Sequence, residues 1–538
     1  MFIHSESYAR FCKLLTLAEE VFAAGNFLAA VRLAQMAARY AFPGNVGLFG
    51  SPRLERLLLD IGKEIPVASV CGVQHHDENM RKVLHILSYG RPVGGDSRFV
   101  WRWIQEDRNN QHFVAITSQD EIEGDHEFPE ILRRSTENSG GFLWMPNAST
   151  SNPLEQAREL RVLCQEMDIV VLHLFPYDIV PLLALAVGCD SIKTIFVNHS
   201  DHTFWIGASV AHFVVHLRRQ SPLFLRNRRG LNSEKFSILP IPLHFSPSSV
   251  TRVQAKRELG YESDIVLLLT IAAPFKYSSP GQIGFLDLVV PVISENPQTV
   301  LLAVGPDPEG SWLSASILTE GRIVPLGTQY DNDLLYAAAD VYLDSVPFSS
   351  ITSVLEAGAL GVPLIGYFPN PELELLGAGA PGLDNAMELA NDMKSYQALL
   401  TRLIRDEEFR RRSGERVQSQ ILSLHTGDNW LNALHDLYVR VESINVRGCL
   451  MEDNDSFESS RLNLALVQLY RRSWNIGQLI RNFIGILPYR DRFSITWHLY
   501  LMGFDLTISN LLPPPFYAAT LGIARRMKSL IRQIRQSR

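Results

Sequence analysis

Between residues 82 and 441 the sequence alternates short apolar runs with longer stretches of helical spacing. The apolar runs have the length of strands that are buried on both faces, and the stretches between them have the length of crossover helices. Strands that are joined through helices pair in parallel. A turn-rich segment at 242–249 divides the alternation into two series. The pattern therefore predicts an α/β protein with two doubly wound, Rossmann-like parallel sheets.

A chain of 538 residues is too long for a single hydrophobic core, so several domains are expected. Residues 1–66 have helical spacing throughout and predict a helical cap. The two series predict an N-terminal Rossmann-like domain at 67–245 and a C-terminal one at 246–448. Residues 449–538 open on an acidic, polar break, and they predict a linker followed by a basic, amphipathic helical tail.

Composition limits the class of protein. Hydrophobic residues make up 46% of the chain and charged residues 20%, which is typical of a globular protein and excludes a disordered one. No apolar run reaches the roughly 18–20 residues of a membrane-spanning helix, and the N-terminus lacks the basic-then-apolar layout of a signal peptide. The five cysteines have no CxxC spacing, which favours a reducing compartment and argues against a cysteine zinc site. We therefore expect a cytoplasmic protein.

The charge is distributed unevenly along the chain. The net charge is −7, yet residues 461–538 contain twelve basic residues against two acidic ones, so the rest of the chain is strongly acidic. Residues 517–538 mix apolar and cationic side chains at helical spacing, as interfacial helices do. This segment predicts a peripheral contact with the inner face of the plasma membrane, and a nucleic acid partner is not expected. Docking of the tail on the protein's own acidic surface fits the pattern equally well.

The stretch 347–365 predicts a phosphate-binding loop. It contains a hydroxyl-rich turn, a helix of small residues that carries Glu356, and a Gly-Val-Pro stop before the next apolar strand. A helix N-terminus offers unpaired N–H groups and a positive dipole end to phosphate oxygens. Glu356, one turn into the helix, is placed to accept hydrogen bonds from sugar hydroxyls. An ordinary crossover with a capped helix gives the same pattern. The hydroxyl-bearing residues are Ser349, Ser350 and Thr352.

Three other loops follow predicted strands of the same series, and the carboxyl ends of parallel strands share one edge of a sheet. Lys276 follows the first strand and can reach a diphosphate as a point charge. Gly305 and Gly327 follow the next two strands, where glycine lets the backbone approach a ligand closely. Together the loops predict a nucleotide-diphosphate site. A P-loop NTPase is not expected, since no GxxxxGK[ST] sequence occurs.

The segment 299–363 resembles the donor half of the GT-B glycosyltransferases, and the resemblance extends more loosely over residues 82–445. In the family-four glycosyltransferases, the position that matches Glu356 contacts the donor ribose. Phe348 stands where that family has the first glutamate of its E-x7-E motif, so the resemblance does not define the transferred sugar. The motifs occur in the family's order: Leu301-Leu-Ala-Val-Gly305, Ile323-Val-Pro-Leu-Gly327, Tyr336–Asp344 and Ser353–Pro363.

The Lys276 loop and the hydroxyl loop are similar to those of the O-linked N-acetylglucosamine transferases, in which a lysine and hydroxyl or backbone N–H groups hold the UDP diphosphate. The resemblance implies a donor half at 246–448, with Gly327 near the base, and an acceptor half at 67–245. It implies a hexosyl- or N-acetylhexosaminyl-transferase that uses a nucleotide sugar, a UDP-sugar by preference. The acceptor would be a glycan, a lipid-linked or a protein group, with no metal and no other cofactor. A nucleotide-sugar epimerase of the same fold and a non-catalytic scaffold remain as alternatives.

Two loops of the N-terminal half are candidates for the acceptor side. His199, Asp201 and His202 directly follow a predicted strand, and they can supply a general base with an orienting carboxylate. A metal site or a structural turn would contain the same residue types. The second loop resembles the N-terminal glycine loop of GT-B enzymes, which lies against the donor phosphate or the acceptor, although a plain strand-to-helix turn fits almost as well. Its candidate residues are Gly94, Gly95 and Asp96.

Overall fold

A computed structural model defines the secondary structure of most of the chain. The residues that the structure describes are 2–44, 46–67, 80–92, 94–119, 130–146, 152–189, 191–200, 203–219, 226, 229–231, 234–245, 250–277, 283–369, 379–449, 476–504 and 506. Residues 517–538, with the predicted membrane contact, lie outside them.

The helices, in chain order, are α1 (Phe2–Ala23), α2 (Phe27–Gly44), α3 (Pro52–Lys63), α4 (Gly95–Glu106), α5 (Glu130–Asn138), α6 (Pro153–Cys164), α7 (Val180–Ala184), α8 (Arg252–Glu258), α9 (Phe285–Glu295), α10 (Gly310–Leu318), α11 (Asp333–Ala338), α12 (Ile351–Ala359), α13 (Met393–Arg405), α14 (Glu407–His425), α15 (Gly427–Ser443), α16 (Ile476–Phe483) and α17 (Tyr489–Leu501). The strands are β1 (Lys82–Leu87), β2 (Gln111–Ile116), β3 (Leu143–Trp144), β4 (Ile169–His173), β5 (Lys193–Asn198), β6 (Phe213–His216), β7 (Phe236–Ile238), β8 (Val266–Ile271), β9 (Thr299–Val304), β10 (Ile323–Gly327), β11 (Val341–Leu343), β12 (Leu364–Tyr367) and β13 (Glu388–Ala390).

Two parallel sheets form the framework. The first has seven strands in the order β3-β2-β1-β4-β5-β6-β7, and the second has six in the order β10-β9-β8-β11-β12-β13. Each sheet is doubly wound, because the chain moves outward in one direction from its first strand and then returns to the other side of it. The prediction of an α/β protein with two Rossmann-like sheets is confirmed. This topology places the crevice of each sheet at the carboxyl ends of its strands, beside β1 and β4 in one and beside β8 and β11 in the other.

The helices α1 to α3 cover one face of the first sheet. Their apolar side chains form one buried cluster with Leu84 and Ile86 of β1 and with the residues around α7. The contact is close, since a Cβ on Gly62 of α3 would lie only 2.6 Å from the Cβ of Ala186. The helices α16 and α17 join the same cluster, and Lys13 Nζ donates a hydrogen bond to the Met502 carbonyl at 2.7 Å. No helix in the described parts of the chain is both long and apolar enough to cross a membrane.

Helices α4 and α15 pack on the opposite face of the first sheet, and the buried cluster on this face continues into the second domain. Trp103 of α4 donates from its indole to the Tyr438 hydroxyl of α15 at 3.1 Å. Trp430 of α15 packs edge-to-face on Trp103, and its own indole donates to the Pro240 carbonyl at 2.7 Å. Because α15 follows the second sheet in sequence but packs on the first, it fixes the two domains beside each other with their strand ends facing a common space.

Candidate functional site

A cavity of about 540 Å³ lies between the carboxyl edges of the two sheets. This central cavity is within the usual size range for small-molecule sites. Glu356 and Gly327 are not part of its described wall, and Asp201 and His202 lie outside the described residues. The structure brings together on this wall the other predicted site residues, namely Gly94, Gly95, Asp96, His199, Lys276, Gly305, Ser349, Ser350 and Thr352.

Lys276 lies in a 3₁₀ turn directly after β8, at the edge of the central cavity. Its ammonium group donates a hydrogen bond to the Ser349 carbonyl at 3.0 Å. Burial lowers the pKa of Lys276 to about 8, and the positive charge of Arg218 acts in the same direction against the opposing charge of Asp344. The lysine is therefore a cation near neutral pH, held in a poorly solvated position where an anionic ligand would interact strongly with it.

Asp344, which the sequence pattern did not single out as a site residue, holds the hydroxyl loop in place. The side chain follows β11, is 2% exposed, and accepts hydrogen bonds from the backbone N–H groups of Ser345 and Ser350 at 2.9 and 3.0 Å. Burial raises the pKa of this carboxyl group. Because Ser350 immediately precedes α12, the hydrogen bond from its N–H sets where that helix begins.

The N-terminus of α12 opens onto the central cavity. Ser350 precedes the helix without capping it through its side chain, and the first-turn residues Ile351 to Ser353 line the cavity. The first N–H groups of any α-helix have no partner within the helix, and the dipole makes this end partly positive. An anion in the cavity would thus meet α12 from one side and Lys276 from another.

Glycine is required at two contacts around the cavity. A Cβ on Gly95 would lie 2.8 Å from the Thr352 Oγ1 atom, so the loop before α4 approaches the start of α12 across the domain boundary. Gly305 has a φ of +110°, and a Cβ there would lie 1.9 Å from the Ala272 carbonyl oxygen. The Gly305 N–H also donates to the Gly327 carbonyl at 2.7 Å. Gly305 thus allows loops that follow neighbouring strands to touch through their backbones, whereas Gly95 brings the start of α4 against the side chain of Thr352.

Glu356 of α12 joins the two domains. One carboxylate oxygen accepts hydrogen bonds from Arg98 at 3.0 Å and from Arg102 at 2.6 Å, both on α4. The other oxygen accepts from Arg98 at 3.1 Å and from the Tyr336 hydroxyl at 3.0 Å. Burial alone would raise the pKa of Glu356, but Arg102 and Arg98 together outweigh it and hold the pKa below its usual value. The two arginines were not predicted as site residues. Their i, i+4 spacing places both on one face of a helix, and this pattern could have indicated that they share a partner.

His199 follows β5 and lines the central cavity on the side of the first domain. Its Nε2 atom lies 3.0 Å from Nδ1 of His173, and the ring of Phe99 packs edge-on against it at a centroid distance of 5.3 Å. His173 and Phe99 therefore fix the orientation of the imidazole, and the ring borders the cavity between the sheets. This placement is compatible with the predicted role as a general base.

No family model matches the sequence, and no curated protein sequence does so either. Solved structures do match the fold. A glycosyltransferase from Rickettsia africae ESF-5 superimposes with a TM-score of 0.52 at 14% identity, over 68% of this chain and 99% of the other. HepE of Anabaena superimposes with a TM-score of 0.50 in its complex with UDP, at 16% identity over 67% of this chain and 100% of HepE. Its complex with UDP-glucose gives a TM-score of 0.50 at 15% identity, over 68% of this chain and 100% of HepE.

The chain thus has the GT-B fold of these glycosyltransferases, as the resemblance in the second half of the sequence implied. At such low identity the likeness defines the fold, and the chemistry has to be argued from the site.

Proposed function

We propose that the protein is a glycosyltransferase that moves a sugar from a nucleotide-diphosphate donor, preferably a UDP-sugar, to a glycan, lipid-linked or protein acceptor. The observation that carries the proposal is the convergence of Lys276 and the α12 N-terminus on one cavity between two GT-B domains. Both groups attract anions, and both lie at the carboxyl edge of the second sheet. The UDP and UDP-glucose complexes of HepE, a protein of the same fold, support a nucleotide-sugar ligand.

On the donor side, Lys276 and the first turn of α12 would hold the diphosphate, with hydroxyl groups of Ser349, Ser350 and Thr352 as additional donors. The bond from the sugar to the diphosphate breaks with the electron pair going to the phosphate oxygen. A preorganised ammonium group and helix N-terminus stabilise the negative charge that develops there. For this reason we expect transfer without a metal ion or any cofactor other than the nucleotide sugar.

Glu356 would bind the donor ribose, but only after a rearrangement. A carboxylate has about four acceptor positions. Arg98, Arg102 and Tyr336 already supply four hydrogen bonds to its two oxygens. A ribose hydroxyl must therefore displace one of these donors, and an arginine of α4 is the donor that belongs to the other domain. Donor binding would in this way change the contact between the domains.

On the acceptor side, we propose that His199 is the base that removes a proton from the attacking hydroxyl or amide group. Asp201 and His202 remain candidates for orienting or replacing it. Gly94, Gly95 and Asp96 line the cavity, with Gly95 against Thr352 of α12, and would contact either the donor phosphates or the acceptor.

The test is incubation of the purified chain with a panel of nucleotide sugars, with mass detection of hydrolysis and of transfer to glycan, lipid and peptide acceptors. We expect turnover of at least one donor, and a loss of roughly 100-fold in Lys276→Ala, the order that a removed transition-state charge contact costs. Lys394→Ala, an exposed lysine of the donor domain outside the cavity wall, is the matched control.

The panel also separates the alternatives. An epimerase would convert a nucleotide sugar to an isomer of equal mass with no acceptor present, which chromatography detects. A scaffold would turn over no donor at all. Either result, or equal turnover by Lys276→Ala and the control, would contradict the proposal.

We further propose that the protein contacts the cytoplasmic face of a membrane. Support comes from α17, whose outward face carries a line of exposed aromatic residues, while Ile495 and Leu499 on its other face are buried. Aromatic side chains favour the membrane interface, and the basic segment 517–538 follows this helix in the sequence. The exposed aromatic residues are Tyr489, Phe493, Trp497 and Tyr500.

A further inference from the structure

Four histidines form a hydrogen-bonded row across the first sheet. The Nδ1 atom of His112 lies 3.0 Å from Nε2 of His85. The Nδ1 atom of His85 lies 3.1 Å from Nε2 of His173, and Nδ1 of His173 lies 3.0 Å from Nε2 of His199. At the far end, Nε2 of His112 lies 3.0 Å from the backbone carbonyl of Asp107 and 3.4 Å from its carboxylate. We call His112, His85, His173 and His199 the histidine row.

The histidine row runs diagonally across four neighbouring strands of the first sheet, β2, β1, β4 and β5. His85 of β1 is in register with Val114 of β2, two residues beyond His112, and with Val171 of β4, two residues before His173. The pairing of β4 with β5 places His199 a further two residues along. The shifts total six residues toward the carboxyl ends of the strands, and successive ring centroids lie 5.2, 5.3 and 5.3 Å apart, so the row spans at most about 16 Å. It therefore connects the amino-terminal side of the sheet with the central cavity.

Only the last member of the row borders the cavity. His85 and His112 are fully buried and His173 nearly so, while Phe99 and Trp103 of α4 cover them. Burial, reinforced by the neighbouring histidines, holds the pKa values of His85 and His173 well below the usual value, so both rings are neutral.

The end of the row at Asp107 fixes the tautomer of every neutral ring. Both oxygen partners of His112 Nε2 are acceptors, so this nitrogen must carry the hydrogen, and when the ring is neutral Nδ1 must accept a hydrogen bond. His85 must donate that hydrogen bond from Nε2, so its Nδ1 accepts a hydrogen bond from Nε2 of His173. Nδ1 of His173 in turn accepts a hydrogen bond from Nε2 of His199. His199 is thereby held as the Nε2–H tautomer, with Nδ1 as its unprotonated, basic nitrogen.

Asp107 is suited to stabilise a positive charge at the closed end of the row. Burial would raise its pKa, but His112, Asn110 and Tyr438 outweigh that effect and hold the pKa below the usual value, so the group is a carboxylate. The Tyr438 hydroxyl of α15 donates to it at 2.8 Å, as does the Asn110 amide. The row contacts Asp107 in the α4–β2 loop and the rings of Phe99 and Trp103 on α4. Tyr438 of α15 in turn contacts Asp107.

We infer that the histidine row is a proton relay, in which His173, His85 and His112 are positioning residues for the base His199. The inference rests on the proposed transferase function. The acceptor group gives its proton to Nδ1 of His199 as it attacks the sugar. His199 then passes its Nε2 proton to Nδ1 of His173, His173 passes its own to His85, and His85 passes its own to His112.

The transfers balance without any further reactant. One proton enters at His199, three protons each cross one N···N hydrogen bond, and His112 ends doubly protonated beside the Asp107 carboxylate. His199, His173 and His85 end as neutral Nδ1–H tautomers. The positive charge therefore leaves the cavity, whose wall also carries Lys276 and in which the sugar cation develops. Reversal of the same transfers returns the proton through His199 after product release.

The first test uses the full chain labelled with [15N]histidine, because nitrogen chemical shifts distinguish N–H from bare ring nitrogens whether or not the protein is active. At neutral pH we expect Nε2–H and bare Nδ1 in His85, His173 and His199. On acidification we expect His199 to change from the Nε2–H to the Nδ1–H tautomer without becoming doubly protonated. Double protonation of His199 would overturn the relay.

The second test interrupts the row with His85→Gln, since an amide can donate and accept hydrogen bonds but does not pass protons on. We expect kcat to fall roughly 10-fold or more with the KM for the donor within twofold, in line with the usual contribution of acid–base catalysis. In the same variant the nitrogen spectra should show His199 doubly protonated at low pH. The matched control is His216→Gln, a buried histidine on β6 outside the row whose Nδ1 lies 3.0 Å from the Asn198 amide.

The two proposals fail in different ways. An inactive unsubstituted chain would contradict the proposed transferase function. The nitrogen spectra of that chain would still show which ring nitrogens carry hydrogen, and therefore in which direction the row can pass a proton. Equal kcat values in His85→Gln and His216→Gln, from an active parent, would reject the relay and leave the transferase function in place.

Discussion

Among single residues, Lys276 has a charge that changes close to neutral pH. Its pKa of about 8 lies well below that of a free lysine, because burial and Arg218 disfavour the cation. A diphosphate binds the cationic form, which is present below pH 8 and lost above it. We expect the UDP dissociation constant to rise about 10-fold between pH 7 and pH 9, as the cationic fraction falls from about nine-tenths to about one-tenth. Calorimetric titration over this range measures the effect.

Lys276→Met provides the control, since its weaker UDP binding should not vary between pH 7 and pH 9. If the unsubstituted protein showed the same flat profile, Lys276 would not be the group that binds the diphosphate.

Gly305 gives a second prediction at this scale, for stability. Alanine at Gly305 meets both a φ of +110° and a backbone oxygen 1.9 Å from its Cβ. Gly260 has a similar φ of +83° but open space around it, so Gly260→Ala should cost only the left-handed strain of about 1–2 kcal/mol. We expect Gly305→Ala to lower the free energy of unfolding by about 2 kcal/mol more than Gly260→Ala, because a backbone clash has to be relieved. Equal melting temperatures for the two variants would show that the Gly305 and Ala272 loops are not in contact.

At the scale of elements, α4 is the link between the domains. If the donor ribose displaces an arginine from Glu356, then Arg98→Met should remove the need for that displacement. We expect UDP to bind about 3–10-fold more tightly to Arg98→Met, a gain of about 1 kcal/mol, and more weakly to Glu356→Gln. Calorimetry with UDP distinguishes these outcomes.

Arg133→Met is a suitable control for this substitution, because Arg133 lies on α5 and forms only exposed ion pairs. An unchanged UDP affinity in Arg98→Met would mean that Glu356 keeps all its partners, and that its role is to join α4 to α12.

The elements themselves were largely predictable from local pattern. The interior strands and the edge strands β7 and β10 coincide within one or two residues with apolar runs of the sequence, except that the run at 236–241 continues beyond the end of β7 at Ile238. Apolar runs stand out most clearly where a strand is buried on both faces. The edge strands β3 and β13 were missed, since two or three residues paired on one side leave no such run. Within the predicted helical tail, the aromatic-rich stretch that contains α17 was not assigned to a helix, because its aromatic residues face outward and do not produce an inward apolar stripe.

For the whole molecule, the proposed membrane contact gives a testable prediction. We expect the full chain to bind vesicles that contain anionic lipid, and binding to be lost on deletion of residues 517–538, because basic segments are attracted to such surfaces. Trp497→Ser should weaken binding several-fold, whereas Phe142→Ser, at a comparably exposed aromatic residue of the first domain, should have no effect. Co-sedimentation measures all three. Undiminished binding of the deleted chain would exclude this tail as the anchor.

Local sequence pattern was sufficient to predict the α/β class, the two doubly wound sheets and most of the loops around the central cavity. It was sufficient because strand ends in a parallel sheet share one edge, so residues such as Lys276 and Thr352 can be assigned to that edge without knowing any distance. The contacts of Glu356 with α4 were not predictable in this way, since they depend on how two domains dock. The histidine row depends on strand order and register, which join His112 and His199 across residues far apart in sequence, and these follow only from tertiary packing.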